Sequence, residues 1–265
     1  GTQTVTFTIT DDDTSGFTVA ESSGTSVSEA GSTDTFTVVL NSKPTGNVVF
    51  NVTSGDTGEA TVSPSTLTFT TGNWNSAQTV TVTGINDDID DGNVNSTTTI
   101  AINTGSTADS AYDSVSSQTV TVTTTDDDTA GFTIAETSSS TTVAETGSTD
   151  NFTVVLTSEP TGNVVFALTD NDTDNTEISY SPTTLTFTAG NWNSAQTVTV
   201  TGVDDSSADG SVNSTMAVAI NTGSTADSTY DSVSSQTVTA TTTDNDVAAA
   251  FRYSAIGGST TVSET

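Results

Sequence analysis

The feature that most constrains the fold is an internal repetition that extends over most of the chain. The segment GNWNSAQTVTVTG occurs without change at residues 72–84 and 190–202. A longer segment, GSTDTFTVVLNSKPTGNVVF at 31–50, returns at 147–166 with three substitutions. Equivalent residues are about 115–118 positions apart, which is the length of one small domain. We therefore expect each copy to fold as a domain of the same architecture.

Partial copies of the repeat flank the two complete ones. Residues 1–13, GTQTVTFTITDDD, resemble SSQTVTVTTTDDD at 116–128. Residues 260–265, TTVSET, resemble TTVAET at 141–146. The predicted organisation is the last strand and acidic tail of a preceding repeat (1–13), two complete repeats (14–128 and 129–246) and the start of a further, divergent repeat (247–265).

Apolar residues occupy every second position in many segments of each repeat. Phe36, Val38 and Leu40 follow this period, and so do Val80 and Val82. Such alternation is typical of half-buried antiparallel strands, and about seven short strands fit into one repeat. Only 31% of the residues are hydrophobic, so each core is expected to be thin. The predicted fold class is all-β, with tandem immunoglobulin-like antiparallel β-sandwiches arranged as an elongated array.

The charge of the chain excludes several classes of partner. With 33 acidic and two basic residues, the formal net charge is -31. This surface repels phosphate backbones and anionic lipid, which argues against nucleic-acid binding and against direct membrane insertion. It suits a saline exterior rich in divalent cations, so we expect an extracellular or cell-surface protein whose export signal and anchor lie outside this window.

Catalysis is not expected from this set of residues. The chain has no His and no Cys, the usual general bases and thiol nucleophiles. Lys43 is replaced by Glu159 in the second repeat, so no lysine is shared by the two copies. A carboxylate pair could cleave a glycosidic bond, but nothing in the sequence places two carboxylates across a cleft.

Carboxylates are concentrated in two places in the first repeat. Asp87, Asp88, Asp90 and Asp91 form one cluster, and the triplet at 126–128 forms the other. Adjacent carboxylates repel one another unless a cation joins them, and calcium takes six to eight hard oxygen ligands. The sequence therefore predicts calcium binding. A solvated acidic surface that serves solubility is the alternative interpretation.

At these residues the sequence resembles the Calx-β repeat family. The resemblance rests on VSEAG at 27–31, TLTFTTGNW at 66–74, INDDIDD at 85–91 and the terminal DDD. It implies an immunoglobulin-like sandwich that binds calcium at one end, as in many large bacterial surface proteins. The implied ligands of the first repeat are Glu29, Glu59, Asp87, Asp88, Asp91, Asp126, Asp127 and Asp128.

The same resemblance implies a second, weaker set of ligands. These are Glu145, Glu177, Asp204, Asp205, Asp209, Asp244 and Asp246. Asp88 and Asp127 of the first repeat are replaced by Ser206 and Asn245. The second repeat is therefore expected to hold fewer calcium ions, or to hold them more weakly.

The resulting functional prediction is a structural or adhesive repeat region of a long extracellular surface protein or filament, stiffened by calcium where repeats join. Its predicted partners are neighbouring repeats or copies of the same chain. Two roles are open for residues 1–13, which either close a preceding sandwich or are donated to another chain. The alternative is a module that binds surface glycans through Thr-rich strands and edge tryptophans, Trp74 and Trp192.

Overall fold

The alternating segments fold as β-strands, as the sequence predicts. A computed structural model describes residues 1–10, 12–171 and 177–248. The chain divides into two compact units, Gly1–Thr129 and Ala130–Thr265. Most of the predicted divergent repeat, residues 249–265, lies outside the described residues.

In the part of the first unit that the structure describes, there are nine strands and one short 3₁₀ helix, Ser110–Tyr112. The strands are β1 (Phe17–Glu21), β2 (Thr25–Ser28), β3 (Thr33–Leu40), β4 (Val48–Ser54), β5 (Ala60–Ser63), β6 (Thr66–Phe69), β7 (Gln78–Gly84), β8 (Val94–Ile102) and β9 (Gln118–Thr125).

These strands form the two sheets of a sandwich. One sheet has the order β1-β3-β7-β5 and the other has the order β2-β9-β8-β4-β6. Both are antiparallel except for the pair β2–β9, which is parallel in the register Thr25↔Val122 to Ser28↔Thr125. The predicted all-β sandwich is confirmed, and the parallel pair is an addition that the strand patterns did not indicate.

The strand count exceeds the predicted seven because the chain changes sheets in two places. Strands β1 and β2 belong to different sheets, and Gly24 between them has a φ of 89°. Strands β5 and β6 are likewise separated at Pro64, which has no N–H to continue a ladder. In both places, the strand before the break (β1 or β5) belongs to the four-stranded sheet, and the strand after it (β2 or β6) belongs to the five-stranded sheet.

The core lies between the sheets and is built from the alternating apolar residues. The rings of Phe17 and Phe50 meet edge to face at 4.8 Å, and Phe50 meets Phe69 at 5.8 Å. Phe17 comes from the four-stranded sheet and the other two rings come from the five-stranded sheet. Tyr112 is also buried, and its hydroxyl donates a hydrogen bond to the carbonyl of Ser42 at 2.7 Å.

The described residues of the second unit repeat this architecture with nine strands and two 3₁₀ helices, Thr137–Ser139 and Ser228–Ser232. The strands are β10 (Phe132–Glu136), β11 (Thr141–Ala144), β12 (Thr149–Leu156), β13 (Val164–Asp170), β14 (Ile178–Ser181), β15 (Thr184–Phe187), β16 (Gln196–Gly202), β17 (Val212–Ile220) and β18 (Gln236–Thr243). Its sheets have the orders β10-β12-β16-β14 and β11-β18-β17-β13-β15. Within the described residues, no helix is long and apolar enough to cross a bilayer.

Candidate metal centre

Several predicted ligands of the first unit lie next to the ends of strands, at one end of the sandwich. Because β2 and β9 run parallel, the residues that follow them, Glu29 and Asp126, leave the same end of the sheet. The Glu29 N–H donates to the carbonyl of Thr125 at 3.1 Å. The loop after β7 is held here too, since the Ile85 N–H donates to the carbonyl of Glu59 at 2.8 Å.

Five of the predicted ligands form two groups of carboxylates that share one residue. Glu29, Glu59 and Asp91 form one group, and Glu29, Asp126 and Asp128 form the other. In each group, one oxygen atom per residue lies within 4.8 Å of the others. Calcium–oxygen distances are about 2.3–2.6 Å, so oxygens on opposite sides of one ion are about 5 Å apart. The spacing fits one calcium ion per group, with Glu29 between them.

Two of these carboxylates are buried. Glu29 is 1% exposed and Glu59 is 7% exposed. Within the described residues, Oε2 of each accepts no hydrogen bond. Burying an ionised carboxylate without a partner is strongly unfavourable, so such groups are found paired or bound to a metal. The two glutamates are therefore groups for which a bound cation would supply the missing partner.

The surroundings of these carboxyl groups oppose their ionisation. Burial, and then the charges of Asp126 and Asp87, raise the pKa of Glu29 from 4.5 to about 7. Burial is also the main cause that raises the pKa values of Glu59 and Asp91. Nearby carboxylates add to each of these shifts, because a like charge disfavours the ionised form. Without a cation, part of the cluster is protonated near neutral pH.

We expect the calcium-free chain to lose stability as the pH rises from about 4.5 to about 7. A carboxyl group whose pKa is higher in the folded state binds its proton more tightly there, so its contribution is full below pH 4.5, the ordinary value for Glu29, and is lost as the pH rises through about 7. Thermal unfolding in EDTA at several pH values measures this effect, and the midpoint should fall by several degrees over that window.

The matched variant for this experiment is Glu29→Gln, which removes the carboxyl group whose pKa is raised to about 7. Its unfolding midpoint should depend less on pH between 4.5 and 7. A wild-type midpoint that rises over this window would contradict the interpretation. Carboxyl groups with lowered pKa values, such as Asp109, do not affect the result between pH 4.5 and 7. The hydrogen bond from the Thr45 N–H lowers the pKa of Asp109, so the stability that Asp109 contributes is lost only as the pH falls below its ordinary value of 3.8.

Backbone hydrogen bonds hold Asp126 in place. The N–H groups of Gly92 and Asp128 each donate to one of its carboxylate oxygens at 2.7 Å. Gly92 has a φ of 74°, a conformation that favours glycine, and its equivalent Gly210 has a φ of 79° and donates to Asp244 at 2.7 Å. These glycines are supporting residues that the sequence analysis missed, although their presence in both copies of the acidic loop was a usable signal.

The second unit brings its acidic residues together in three overlapping groups. Their members are Glu145, Asp205 and Asp246; Glu145, Asp209 and Asp244; and Glu177, Asp205 and Asp209. Glu145 is 1% exposed and occupies the shared position of Glu29. Within the described residues, Oε1 of Glu145 and the buried Oδ2 of Asp246 accept no hydrogen bond. The second unit thus again has a buried glutamate shared by two groups, but its groups differ in membership from those of the first unit and include Asp205.

One substitution gives the second unit a side-chain donor where the first unit has a carboxylate. Asn245, which replaces Asp127, donates a hydrogen bond from its side-chain amide to Asp204 at 2.9 Å. Its backbone N–H donates to Oε2 of Glu145 at 3.1 Å, a bond that does not depend on the substitution. This is consistent with the prediction of fewer or weaker ions in the second repeat, which stays a prediction.

Four predicted ligands are in none of the close groups formed by the described residues: Asp87, Asp88, Asp127 and Asp204. Asp87 accepts a hydrogen bond from the Ile89 N–H at 2.9 Å, and its charge raises the pKa of Asp91. Asp204 accepts the bond from Asn245 described above. Their role as ligands stays a prediction.

The two tryptophans that the glycan-binding alternative relies on pack against the hydrophobic cores. Trp74 and Trp192 are half-buried and pack against the hydrophobic clusters of their units. The carbonyl of Trp74 also accepts a hydrogen bond from the Leu40 N–H at 3.2 Å. Each ring therefore has a packing role, and carbohydrate stacking by these rings stays a prediction.

Comparison with known proteins assigns no family to the chain. No protein-family model matches the chain, and neither does any curated protein. Similar solved structures include the calcium binding domain CBD12 of CALX1.1 (18% identity, TM-score 0.31, covering 74% of this chain and 76% of that chain) and domains 4 and 5 of the S-layer protein SbsC (16% identity, TM-score 0.32, covering 86% and 97%). At these values the likeness says nothing about function, and membership of the Calx-β family stays a prediction.

Proposed function

We propose that each unit is a calcium-stabilised structural module and that the chain is a non-catalytic, structural region of an extracellular protein. The observation that carries the proposal is Glu29, a buried carboxylate that belongs to two acidic groups at once. Glu145 repeats this position in the second unit. A surface rich in acidic residues would not need to bury its carboxylates, so solubility does not account for these two residues.

The chain itself offers almost no positive charge to neutralise the clusters. Its two basic residues are Lys43 and Arg252. Lys43 lines a cavity with Asp13, Asp109 and Tyr112, which belong to none of the acidic groups. The neutralising charge is therefore expected to come from a cation in solution.

Calcium fits the set of ligands better than the other common hard cation. The groups contain only carboxylate oxygens, and Glu29 and Glu145 are placed to bridge adjacent positions. Calcium accepts six to eight oxygens in flexible geometry, whereas magnesium demands a near-octahedral site and keeps several of its waters. Extracellular modules bind calcium with dissociation constants of about 10⁻⁴–10⁻³ M, which matches the concentration outside cells.

The structural role is supported by the repetition and by the position of the acidic residues. Two nearly identical sandwiches carry equivalent clusters, as expected of a spacer. Asp126 and Asp128 stand at the end of the first unit, immediately before the division at Thr129. An ion that joins them to Glu29 would hold the backbone that leads out of that unit. Through this restraint on the backbone, calcium is proposed to stiffen the chain where repeats join.

The proposal is tested by titrating calcium into the full chain and into the variants Glu29→Gln and Glu145→Gln, using calorimetry. Glutamine has the same shape as glutamate and carries no charge, so each variant should lose the calcium bound by its own unit. Because the substitution also removes a buried charge, the calcium-free variant should unfold at the same or a higher temperature than the wild type. Lost calcium binding together with an undiminished unfolding temperature would show that the variant has lost a ligand and has kept its fold.

Asp113→Asn and Asp231→Asn are the matched controls. Both aspartates are exposed, one in each unit, and neither belongs to an acidic group. They make the same change of charge and should leave the calcium stoichiometry unchanged. Equal calcium binding by the wild type and the Glu29→Gln, Glu145→Gln double variant would refute the proposed site.

A further inference from the structure

A short segment near the start of the chain has the sequence of a strand but no partner strand. Residues 1–10 belong to no strand of the described residues. Val5, Phe7 and Ile9 are 70%, 86% and 94% exposed, and they are among the few large hydrophobic side chains that solvent reaches in the described part of the chain. They occupy every second position, so in an extended segment all three lie on one face.

The last strands of the two sandwiches show what such a sequence does when it is folded. Residues 3–10, QTVTFTIT, align with β9 (QTVTVTTT) and β18 (QTVTATTT). In this alignment Val5, Phe7 and Ile9 correspond to Val120, Val122 and Thr124, which are at most 1% exposed. The three exposed side chains therefore occupy positions that face the core in both complete sandwiches.

We propose that residues 3–10 are the last strand of a further β-sandwich of this repeat type, one that lacks its own last strand. In the receiving sandwich they would lie where β9 lies, parallel to the counterpart of β2 and antiparallel to the counterpart of β8. Both described five-stranded sheets already contain their own last strand, β9 or β18, so neither receives the segment.

The side chains also indicate what the receiving core is like. Phe7 corresponds to Val122 and Ala240, and Ile9 corresponds to Thr124 and Thr242. The donated side chains are larger than their counterparts in either unit. The receiving sandwich therefore has more space at these two positions than the two described cores have. The inference rests on strand pairing alone and is independent of calcium binding.

The test frees the position of β18 in the full chain. Val238→Asp with Ala240→Asp places charges at two core positions, so the variant's own last strand cannot pack, and residues 3–10 can take its place. Hydrogen exchange measured by mass spectrometry reports on the amides of residues 3–10. We expect these amides to exchange at least tenfold more slowly in this variant than in the wild type.

Two further variants decide the outcome. Phe7→Ala with Ile9→Thr in the same background relieves the excess volume at the Ala240 and Thr242 positions and should increase the protection. Val5→Asp with Phe7→Asp and Ile9→Asp should abolish it, because the core face is lost. The amides of β12 and β16 report in the same experiment whether the receiving sandwich stays folded. If they stay protected while residues 3–10 are unprotected with both versions of the segment, the proposal is overturned. Protection that survives the three aspartates would also overturn it, because the segment would then not be bound through its apolar face.

Discussion

Ten-millimolar calcium is expected to raise the midpoint of thermal unfolding of the first unit by about 20 °C, and that of the second unit by less. A ligand that binds only the folded state stabilises it by RT ln(1 + [L]/Kd), which is about 2.7 kcal/mol per site at 100 times the dissociation constant. With two ions in the first unit and dissociation constants of about 10⁻⁴ M, ten-millimolar calcium would contribute about 5 kcal/mol to that sandwich. For domains near 100 residues, 1 kcal/mol corresponds to about 4 °C or more.

Calorimetric melting in EDTA and in calcium measures this shift. The double variant Glu29→Gln, Glu145→Gln should lose most of it, while Asp113→Asn with Asp231→Asn should keep it. Magnesium at the same concentration should have a smaller effect. A midpoint that is unchanged by calcium in the wild type would mean that the acidic groups are a solvated surface and that the buried glutamates are protonated.

Gly84→Ala is expected to destabilise the first unit by several kcal/mol and to weaken its calcium binding. A Cβ atom at Gly84 would overlap the carbonyl oxygen of Ser28 and lie 2.8 Å from its carbonyl carbon. Overpacking against side chains costs about 1–3 kcal/mol, and a clash with backbone is harder to relieve. Ser28 directly precedes Glu29, so any shift that relieves the clash would move the shared carboxylate.

The sequence offers matched positions for this experiment. At Gly72 a Cβ would meet no neighbour closer than 3.8 Å, so Gly72→Ala should change the unfolding temperature by little. Gly202→Ala should affect the second unit as Gly84→Ala affects the first, because its Cβ would overlap the carbonyl oxygen of Ala144. If Gly84→Ala proved as stable as Gly72→Ala, the close approach of β2 and β7 would not be what positions Glu29.

The strands could be predicted from sequence because one physical rule governs most of them. Phe36, Val38 and Leu40 alternate as a strand with one buried face must, and the structure buries all three. The changes of sheet could not be predicted in this way. Alternation shows which side chains face the core, but it does not show which of the two sheets supplies the partner strand, as at Gly24 and Pro64.

The candidate site was predictable in its composition but not in its grouping. The acidic loop and the terminal triplet are visible as runs of carboxylates, and the resemblance to a calcium-binding repeat added the isolated residues Glu29 and Glu59. Neighbours within a run point in different directions, so Asp126 and Asp128 reach Glu29, whereas Asp127 is in none of the close groups. Which members of a run converge depends on backbone geometry such as the turn at Gly92.

The most direct test of the account is a crystal structure of the chain grown in millimolar calcium, with anomalous diffraction used to locate the ions. We expect peaks about 2.3–2.6 Å from carboxylate oxygens of Glu29, Asp126 and Asp128 in the first unit, and from oxygens of the two groups that contain Glu145 in the second. Well-ordered density with no ion at Glu29 and Glu145, or with calcium only at exposed acidic residues outside these groups, would contradict the account.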